Sequence, residues 1–488
     1  MSAEGPQRTY LFTDLRHIRC GDLSWVSPSG EALPVAGPPE PPVEARAVMG
    51  MVPYGVRLVA QPGSKTEPLE VGQPRGSRVV YDGGVYRSWS LRPEYPAGQN
   101  LGAYSTAGAR SVAIAYTESP DGFVWAEKAR SAFETPGATG FDGFTVFVDP
   151  SGPPEERYKA VFMAEPPEDR RAELWQRLTR IHPRYRDERL RESYVPCLYG
   201  AVSPDGLNWQ GLPEPLMVHK SDTDTSVYYD EWLGRYVMYT RLYPFERRTI
   251  GRAETEDFRR WEGVEPLIWP TLDDPLSDDL YTNGYSQYPG GPMYHLMFPM
   301  VYHRYTQTSD VLLYSSPDGL RWDRVPGGPV LSAGAPGEWD SEFIHAGKDL
   351  VPFGADRVAV PYGGTSYPHK YPRWKHFLDA SRGGWAWWPK GRLVAVQADN
   401  WGEFWTFPIP VAGRELRANL RTSRAGEVRI GLAGIEGHSG DDVAPLVGDH
   451  LAAPVHWRGE TNLGVPEGQS VTLHFRLRAA EVFGFEWV

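Results

Sequence analysis

The chain has 488 residues, 41% of them apolar and 23% charged, the mixture of a globular protein with more than one ordinary core. A formal charge of −12 excludes a surface built for phosphate backbones, so no nucleic-acid partner is expected. No run of eighteen apolar residues occurs and the opening MSAEGPQRTYLFTD lacks a basic and an apolar leader region, which predicts no membrane association and a cytoplasmic location.

Two cysteines, Cys20 and Cys197, are too few for a disulfide framework and are expected as free thiols. The Pro-rich stretch 27–46 reads as an extended surface arm. Five aromatic hairpins then follow in order: SRVVYDGGVYRSWS (77–90), FTVFVDPSGPPEERYKAVFMA (144–164), TSVYYDEWLGRYVMYTR (225–241), YTNGYSQYPGGPMYHLMFPMVY (281–302) and FIHAGKDLVPFGADRVAVPYGG (343–364). Between them one turn phrase recurs as SPDGFVW (119–125), SPDGLNW (203–209) and SPDGLRW (316–322), with a degraded copy TEDFRRW at 255–261. Pro fixes φ, Asp bonds its own backbone and Gly accepts positive φ, so the phrase is a hairpin corner followed by an aromatic wedge. Asp121, Asp205 and Asp318 in these corners, and Asp82, Asp149 and Asp230 in the hairpin turns, are therefore read as structural.

Two stretches interrupt the rhythm. Residues 168–194 place Leu174, Leu178 and Ile181 on one helical face ahead of Pro183, which predicts an amphipathic helix inserted in the second repeat. Such a helix serves as a solvated surface, a lid, or a contact for a homo-oligomer. From about Trp405 the turn phrase stops, and alternating runs at 427–435 and 470–478 predict a small antiparallel sandwich.

Repeats of this size built from strands suggest a propeller with one four-stranded blade each. The expected fold is all-β: a five-bladed β-propeller over 1–404, a C-terminal antiparallel β-sandwich over 405–488, and the helical insertion near 168–194. S-x-DG-x-x-W turns in that order resemble those of the glycoside hydrolases of the invertase/levanase and arabinanase/β-xylosidase type. The W-x-N-D-P-N-G, R-D-P and E-C signatures of the invertase type are absent, so the resemblance is to a divergent member. It implies a carbohydrate substrate, a fructoside or arabinoside among the options. It implies no required cofactor, although some relatives hold a structural calcium ion.

Cleavage of a glycosidic bond needs two carboxyl groups, one protonated and one ionised, and a third often adjusts the first. In a propeller these acids precede the innermost strands, where the strand starts converge at one mouth. The sequence supplies Asp142 before the second hairpin's core, Asp222 and Asp224 before the third, Asp279 before the fourth, and Asp340 and Glu342 before the fifth. Strand alternation lets only one of each close pair point inward. Glu342, beside Trp339, is the expected general acid, with Asp142 or Asp222 as base or nucleophile. Arg75, Tyr281, Asn283, His345, His369 and Trp339 are expected to contact substrate, with Arg75, Arg241 and the histidines as an alternative anion pocket. That pocket keeps open a glycoside phosphorylase or transferase on the same scaffold, and a non-catalytic carbohydrate-binding propeller is the rival of another class. No zinc spacing, nucleotide-cradling loop or esterase elbow is present.

Overall fold

The computed structural model describes residues 7–29, 31–33, 46–70, 78–94, 111–133, 139–180, 190–191, 193–223, 225–369 and 381–488. Arg75 and Asp224 lie outside them. The described protein is all-β apart from one α-helix, Arg171–Arg180, and a few 3-10 turns. It divides into two compact units. The array unit comprises Pro62–Arg324 and Gly328–Trp388, and the terminal unit comprises Met1–Gln61, Val325–Gly327 and Pro389–Val488.

The array unit holds five antiparallel sheets of four or five strands, arranged successively along the chain, and a smaller one of three strands. In the first sheet the strands Val79–Asp82, Val85–Glu94, Ser111–Ser119 and Ala126–Ala132 pair in sequence order. The later sheets start at Thr139–Val148, Ser226–Asp230, Tyr285–Tyr288 and Phe343–Ala346. The fifth sheet departs from chain order: its last strand is Ser64–Lys65, which pairs Arg382–Pro389 through Trp387↔Ser64 and Ala386↔Lys65. Bonds from Thr66 N to the Trp385 carbonyl and from Leu69 N to the Gly383 carbonyl extend this seam.

The recurring turn joins the third and fourth strands of the first, second and fourth sheets, and its internal bonding is the same in each. The Ser119 hydroxyl accepts from Gly122 N at 2.8 Å and the Asp121 carboxylate accepts from Phe123 N and Val124 N at 2.8 and 2.9 Å. Ser203 with Asp205 and Ser316 with Asp318 repeat this set. The glycine that follows adopts φ of 82°, 76° and 71°, a conformation that costs other residues energy.

That glycine's carbonyl then accepts twice. Gly122 takes the indole N–H of its own Trp125 at 2.8 Å and of Trp385 on the fifth sheet at 2.7 Å. Gly206 takes Trp209 and Trp89 of the first sheet, at 2.9 and 2.7 Å. Gly319 takes Trp322 and the Tyr239 hydroxyl of the third sheet, at 3.1 and 2.8 Å. Each turn therefore clamps an aromatic side chain from another sheet, and the buried rings fill the space between them.

The helix Arg171–Arg180 buries Leu174 and Leu178 in the core that the first two sheets share. Ile181 and the remainder of the expected helix lie outside the described residues. The Pro-rich arm is partly strand, because Ala32–Leu33 pairs Trp25 and Val26. Both cysteines are free, with Cys20 exposed and Cys197 buried.

The terminal unit is built on one seven-stranded antiparallel sheet with three long strands, Val394–Thr406, Leu416–Leu432 and Leu473–Trp487. Register shifts interrupt the long strands near Ala398 and Thr422, the kind of irregularity that bends a sheet. The expected boundary at 404/405 falls inside Val394–Thr406, and the compact unit begins at Pro389 instead. The N-terminal residues also belong here: Thr9–Leu11 pairs Leu473–Trp487, and Arg57–Ala60 pairs Val394–Thr406. The cause is apolar burial. Tyr10 stacks on Phe485 at 4.9 Å, and Phe12 lies edge-on to Phe404 and Phe475 at 5.2 and 5.6 Å.

Replacing Tyr239 by Phe keeps the buried ring and removes its hydroxyl, and with it the bond to Gly319. Urea unfolding should show a loss of about 1 kcal/mol, with no change in the slope that reports exposed surface.

Candidate functional site

The segments before the first strands of the second to fifth sheets carry the expected acids, and the structure sorts them by burial. Asp279 has no exposed surface: its carboxylate pairs Arg248 at 2.7 Å, accepts from Arg248 N at 3.0 Å and lies 3.5 Å from Arg304. Asp340 is 2% exposed and pairs Lys65 at 2.6 Å, so it pins the strand that completes the fifth sheet. Asn283 is equally sunk, accepting from the Ser226 hydroxyl and Tyr285 N and donating to the Tyr239 carbonyl. A side chain closed off in this way cannot touch a sugar. Asp279, Asp340 and Asn283 are therefore corrected from site residues to structural ties.

Asp142, Asp222 and Glu342 differ in being only partly buried. Asp142 sits in Thr139–Val148 opposite Met163 and accepts from Gly143 N at 2.9 Å, beside a register shift. Glu342 bonds through its backbone N–H to the Thr365 carbonyl, one residue before Phe343. Asp222, with 36% of its side chain exposed, accepts from the Arg241 guanidinium at 2.5 Å and from the Tyr243 hydroxyl at 2.6 Å. Burial disfavours its charge, but Arg241, the Tyr243 hydroxyl, Lys220 and Arg248 outweigh that and hold its carboxyl well below the usual range.

Around Asp222 a cationic and aromatic cluster forms. The buried Arg241 bonds the Tyr281 carbonyl at 3.0 and 2.7 Å and lies 4.0 Å from the centre of its ring, with Arg248 at 4.6 Å. The Tyr281 hydroxyl shares a 2.9 Å hydrogen bond with His369 Nε2, and the His369 ring stacks on Phe343 at 4.4 Å. Five segments thus meet: the approach to the third sheet and the end of its first hairpin, the approach to the fourth sheet, the first strand of the fifth, and the loop that follows Arg357–Thr365. His345 is half-buried with its ring 6.2 Å from Phe343, and half-buried Trp339 lies 5.3 Å from Tyr362.

Deeper in the array unit the first strands are tied by polar groups from all five sheets. Lys348, 2% exposed, donates to the Thr145 hydroxyl at 2.8 Å. Arg78 forms a two-pronged pair with Asp349 and reaches the Val227 carbonyl, while Leu350 N donates to the Ser286 hydroxyl at 3.0 Å. A groove of about 1000 Å³ elsewhere in this unit, lined by Arg177, Glu214, Arg259 and Trp261 among others, contains none of the candidate acids. Among the described residues no three acidic, His or Cys side chains gather as a metal cage, so no residues are assigned to a calcium ion.

The sequence reading missed Tyr243, Lys220, Arg248 and Phe343. A signal existed for Tyr243: it follows the strand Arg235–Leu242 two residues after Arg241, so both reach the same side. Because a hairpin's second strand ends where its first begins, strand ends deserved the scrutiny given to strand starts.

No protein-family model matches the chain, and no curated protein does. Several solved structures are similar in chain path. One, titled a glycoside hydrolase, has 12% identity and a TM-score of 0.42, covering 68% of this chain and 92% of that one. A glycoside hydrolase family 43 arabinoxylan arabinofuranohydrolase from Bacillus subtilis has 11% identity and a TM-score of 0.38, covering 86% and 96%. A family 32 β-fructofuranosidase from Bombyx mori has 10% identity and a TM-score of 0.38, covering 89% and 94%. These are glycoside hydrolases. They belong to the group that the turn phrases resemble, and at TM-scores below 0.5 nothing about this chain's chemistry follows from them.

Two outcomes test the geometry. Asp279→Asn leaves Arg248 buried without its counter-charge and should cost about 3 kcal/mol of stability in urea unfolding, with little change in activity per folded molecule. His303, gripped by Asp310 at 3.2 Å and Asp278 at 3.0 Å, has its pKa raised to about 9, the Asp310 bond outweighing burial. A raised folded value means this contribution is complete below the unfolded pKa near 6.5. It is lost as pH rises through about 9. An NMR titration should find that imidazole still protonated at pH 8.

Proposed function

We propose that the protein is a glycoside hydrolase whose array unit is a five-bladed β-propeller, with a furanoside such as a fructoside or arabinoside as substrate. Five successive antiparallel sheets, the fifth completed by Ser64–Lys65, support the blade count and a ring closed by an N-terminal strand. The bend of the long strands in the terminal unit supports the sandwich reading.

One observation carries the catalytic reading. Of the acids at the strand starts, the two closed off by Arg or Lys are spent on structure, whereas Asp142, Asp222 and Glu342 keep exposed surface on three different sheets. Cleavage needs a pair of carboxyl groups, and these three supply that pair and a fixed carboxylate beside it. In this reading Glu342 gives its proton to the glycosidic oxygen as the bond from the anomeric carbon breaks. Asp142 takes a proton from the water whose oxygen bonds that carbon, or attacks the carbon itself. Asp222 is too weak a base for either task, because Arg241 and Tyr243 stabilise its anion. It instead accepts a hydrogen bond from a sugar hydroxyl. Tyr281 flanks the sugar, and the buried His369 holds the tyrosine hydroxyl from behind. Arg241, itself buried, positions Asp222.

A second reading has its own support. Lys220, Arg241 and Arg248 all bear on Asp222, and Arg248 and Arg304 on Asp279, so cationic side chains gather here. Such a site suits phosphate as the nucleophile in place of water, giving a sugar 1-phosphate.

The test is turnover of aryl arabinofuranosides and of fructans by Asp142→Asn, Asp222→Asn and Glu342→Gln. Each should lose at least about 100-fold in kcat; the thermal midpoint should hold for Asp142→Asn and Glu342→Gln and fall for Asp222→Asn, which strips the buried Arg241 of its counter-charge. Product that forms only with added phosphate would replace hydrolysis by phosphorolysis. Wild-type binding without turnover, indifferent to all three changes, would make the protein a carbohydrate binder.

A further inference from the structure

The terminal unit presents one sheet face that its own core does not use. Along Val394–Thr406 the alternate residues Trp401, Glu403 and Trp405 share a side, and the register sets them opposite Arg478, Arg476 and His474 of Leu473–Trp487. The next strand continues the rows, with Glu427, Arg429 and Gly431 opposite the same three residues. The intervening residues Phe404, Phe475, Leu477, Val428 and Ile430 are wholly buried on the other side. The outer face is thus a lattice of aromatic and charged side chains on a rigid sheet.

Its charges are held in place. His474 Nε2 lies 2.9 Å from Glu403, Arg476 pairs Asp441 at 2.7 Å, and Glu427 lies 3.3 Å from both Arg429 and Arg478. The rings differ in exposure. Trp405 stacks flat on His474 at 4.3 Å, whereas Trp401 is 57% and Tyr54 70% exposed. Paired backbone bonds between Tyr54 and Glu403 set the tyrosine at the edge of the sheet beside Trp401. Two hollows lie in this face. One of about 340 Å³ is lined by Tyr54, Trp401 and Arg476, and one of about 420 Å³ by Gly431, Gly440 and His474. His474 and Arg476 are alternate residues of one strand, so the hollows adjoin. A side chain at position 440 would run into the Arg476 guanidinium, since an added Cβ would stand 2.6 Å from it.

We propose that this face binds a neutral oligosaccharide, at a site separate from the acids of the array unit. A sugar hydroxyl both donates and accepts, so a surface that alternates fixed guanidinium N–H groups with carboxylates meets vicinal hydroxyls on both counts. The C–H faces of a sugar ring suit the open faces of Trp401 and Tyr54. The balance of charge names the class of ligand. Arg429, Arg476 and Arg478 are matched by Glu403, Glu427 and Asp441, which leaves no cationic field for a polyanion. The charged lattice equally lacks the continuous apolar patch that a membrane or an obligate protein partner would need. The combined hollows match the size of a few sugar units more than of a folded partner.

The test is affinity electrophoresis of the full chain through gels containing soluble arabinan, levan or β-glucan, with heparin as the polyanion control. At least one neutral polysaccharide should retard the wild type. Trp401→Ala and Tyr54→Ala should each weaken retention about tenfold, while turnover of a small aryl glycoside stays at the wild-type rate. Trp401→Phe, which keeps a ring and guards against misfolding of the alanine variant, should recover most retention. Glu342→Gln should abolish turnover and leave retention intact, so failure of the catalytic reading and failure of this one give different results. Retention by heparin alone, by no polysaccharide, or retention that survives Trp401→Ala but not Glu342→Gln overturns the proposal.

Discussion

The array unit depends on a carbonyl that accepts two hydrogen bonds. A peptide oxygen has two lone pairs, and in each SPDG turn the glycine oxygen uses both, one for the tryptophan of its own hairpin and one for an aromatic donor from another sheet. The positive φ of the glycine aims that oxygen, and the Ser and Asp side chains that bond the turn backbone hold the φ. Local turn chemistry is thereby converted into long-range registration, with donors 80 to 263 residues away fastened to the turns. The bond between Gly122 and Trp385 joins the first sheet to the fifth, so the last sheet is fastened to the first.

What the turns do through backbone oxygens, charged side chains do through ion pairs and hydrogen bonds. Arg78 with Asp349 and Lys348 with Thr145 tie first strands across sheets, and Asp340 with Lys65 secures the closing strand. Buried charges are tolerated only when paired, so each of these contacts demands one arrangement of the sheets and penalises others. The same requirement sorts the acids near the strand starts. A carboxylate facing a structural cation is consumed by it, and only those left partly open are available for chemistry. Asp222 is intermediate: it is ion-paired with Arg241 yet more than a third of its side chain meets solvent. Its anion is thus secured without being hidden.

The five hairpins and the meaning of the repeated heptad were legible because they are local. A Pro-Asp-Gly corner is stabilised by bonds within four residues, and strand alternation is visible in the strand itself. The helix was legible for the same reason, through Leu174 and Leu178. The place of the N-terminal residues was not. Tyr10 and Phe12 find their partners near the other end of the chain, and Ser64–Lys65 finds its partner at Ala386 and Trp387. No local pattern distinguishes a strand that starts one sheet from a strand that completes another.

The sequence by itself therefore determined the all-β class, the number of hairpins, the structural status of the turn aspartates, and the set of acids that precede the first strands of the sheets. Only the tertiary structure decided which of those acids remain open. Asp340 and Lys65 are 275 residues apart, and Arg78 and Asp349 are 271 apart. Whether a carboxylate is neutralised depends on a cation that the fold brings to it from that distance. An aspartate spent on structure and one left for substrate are spelled alike, and burial is what separates them.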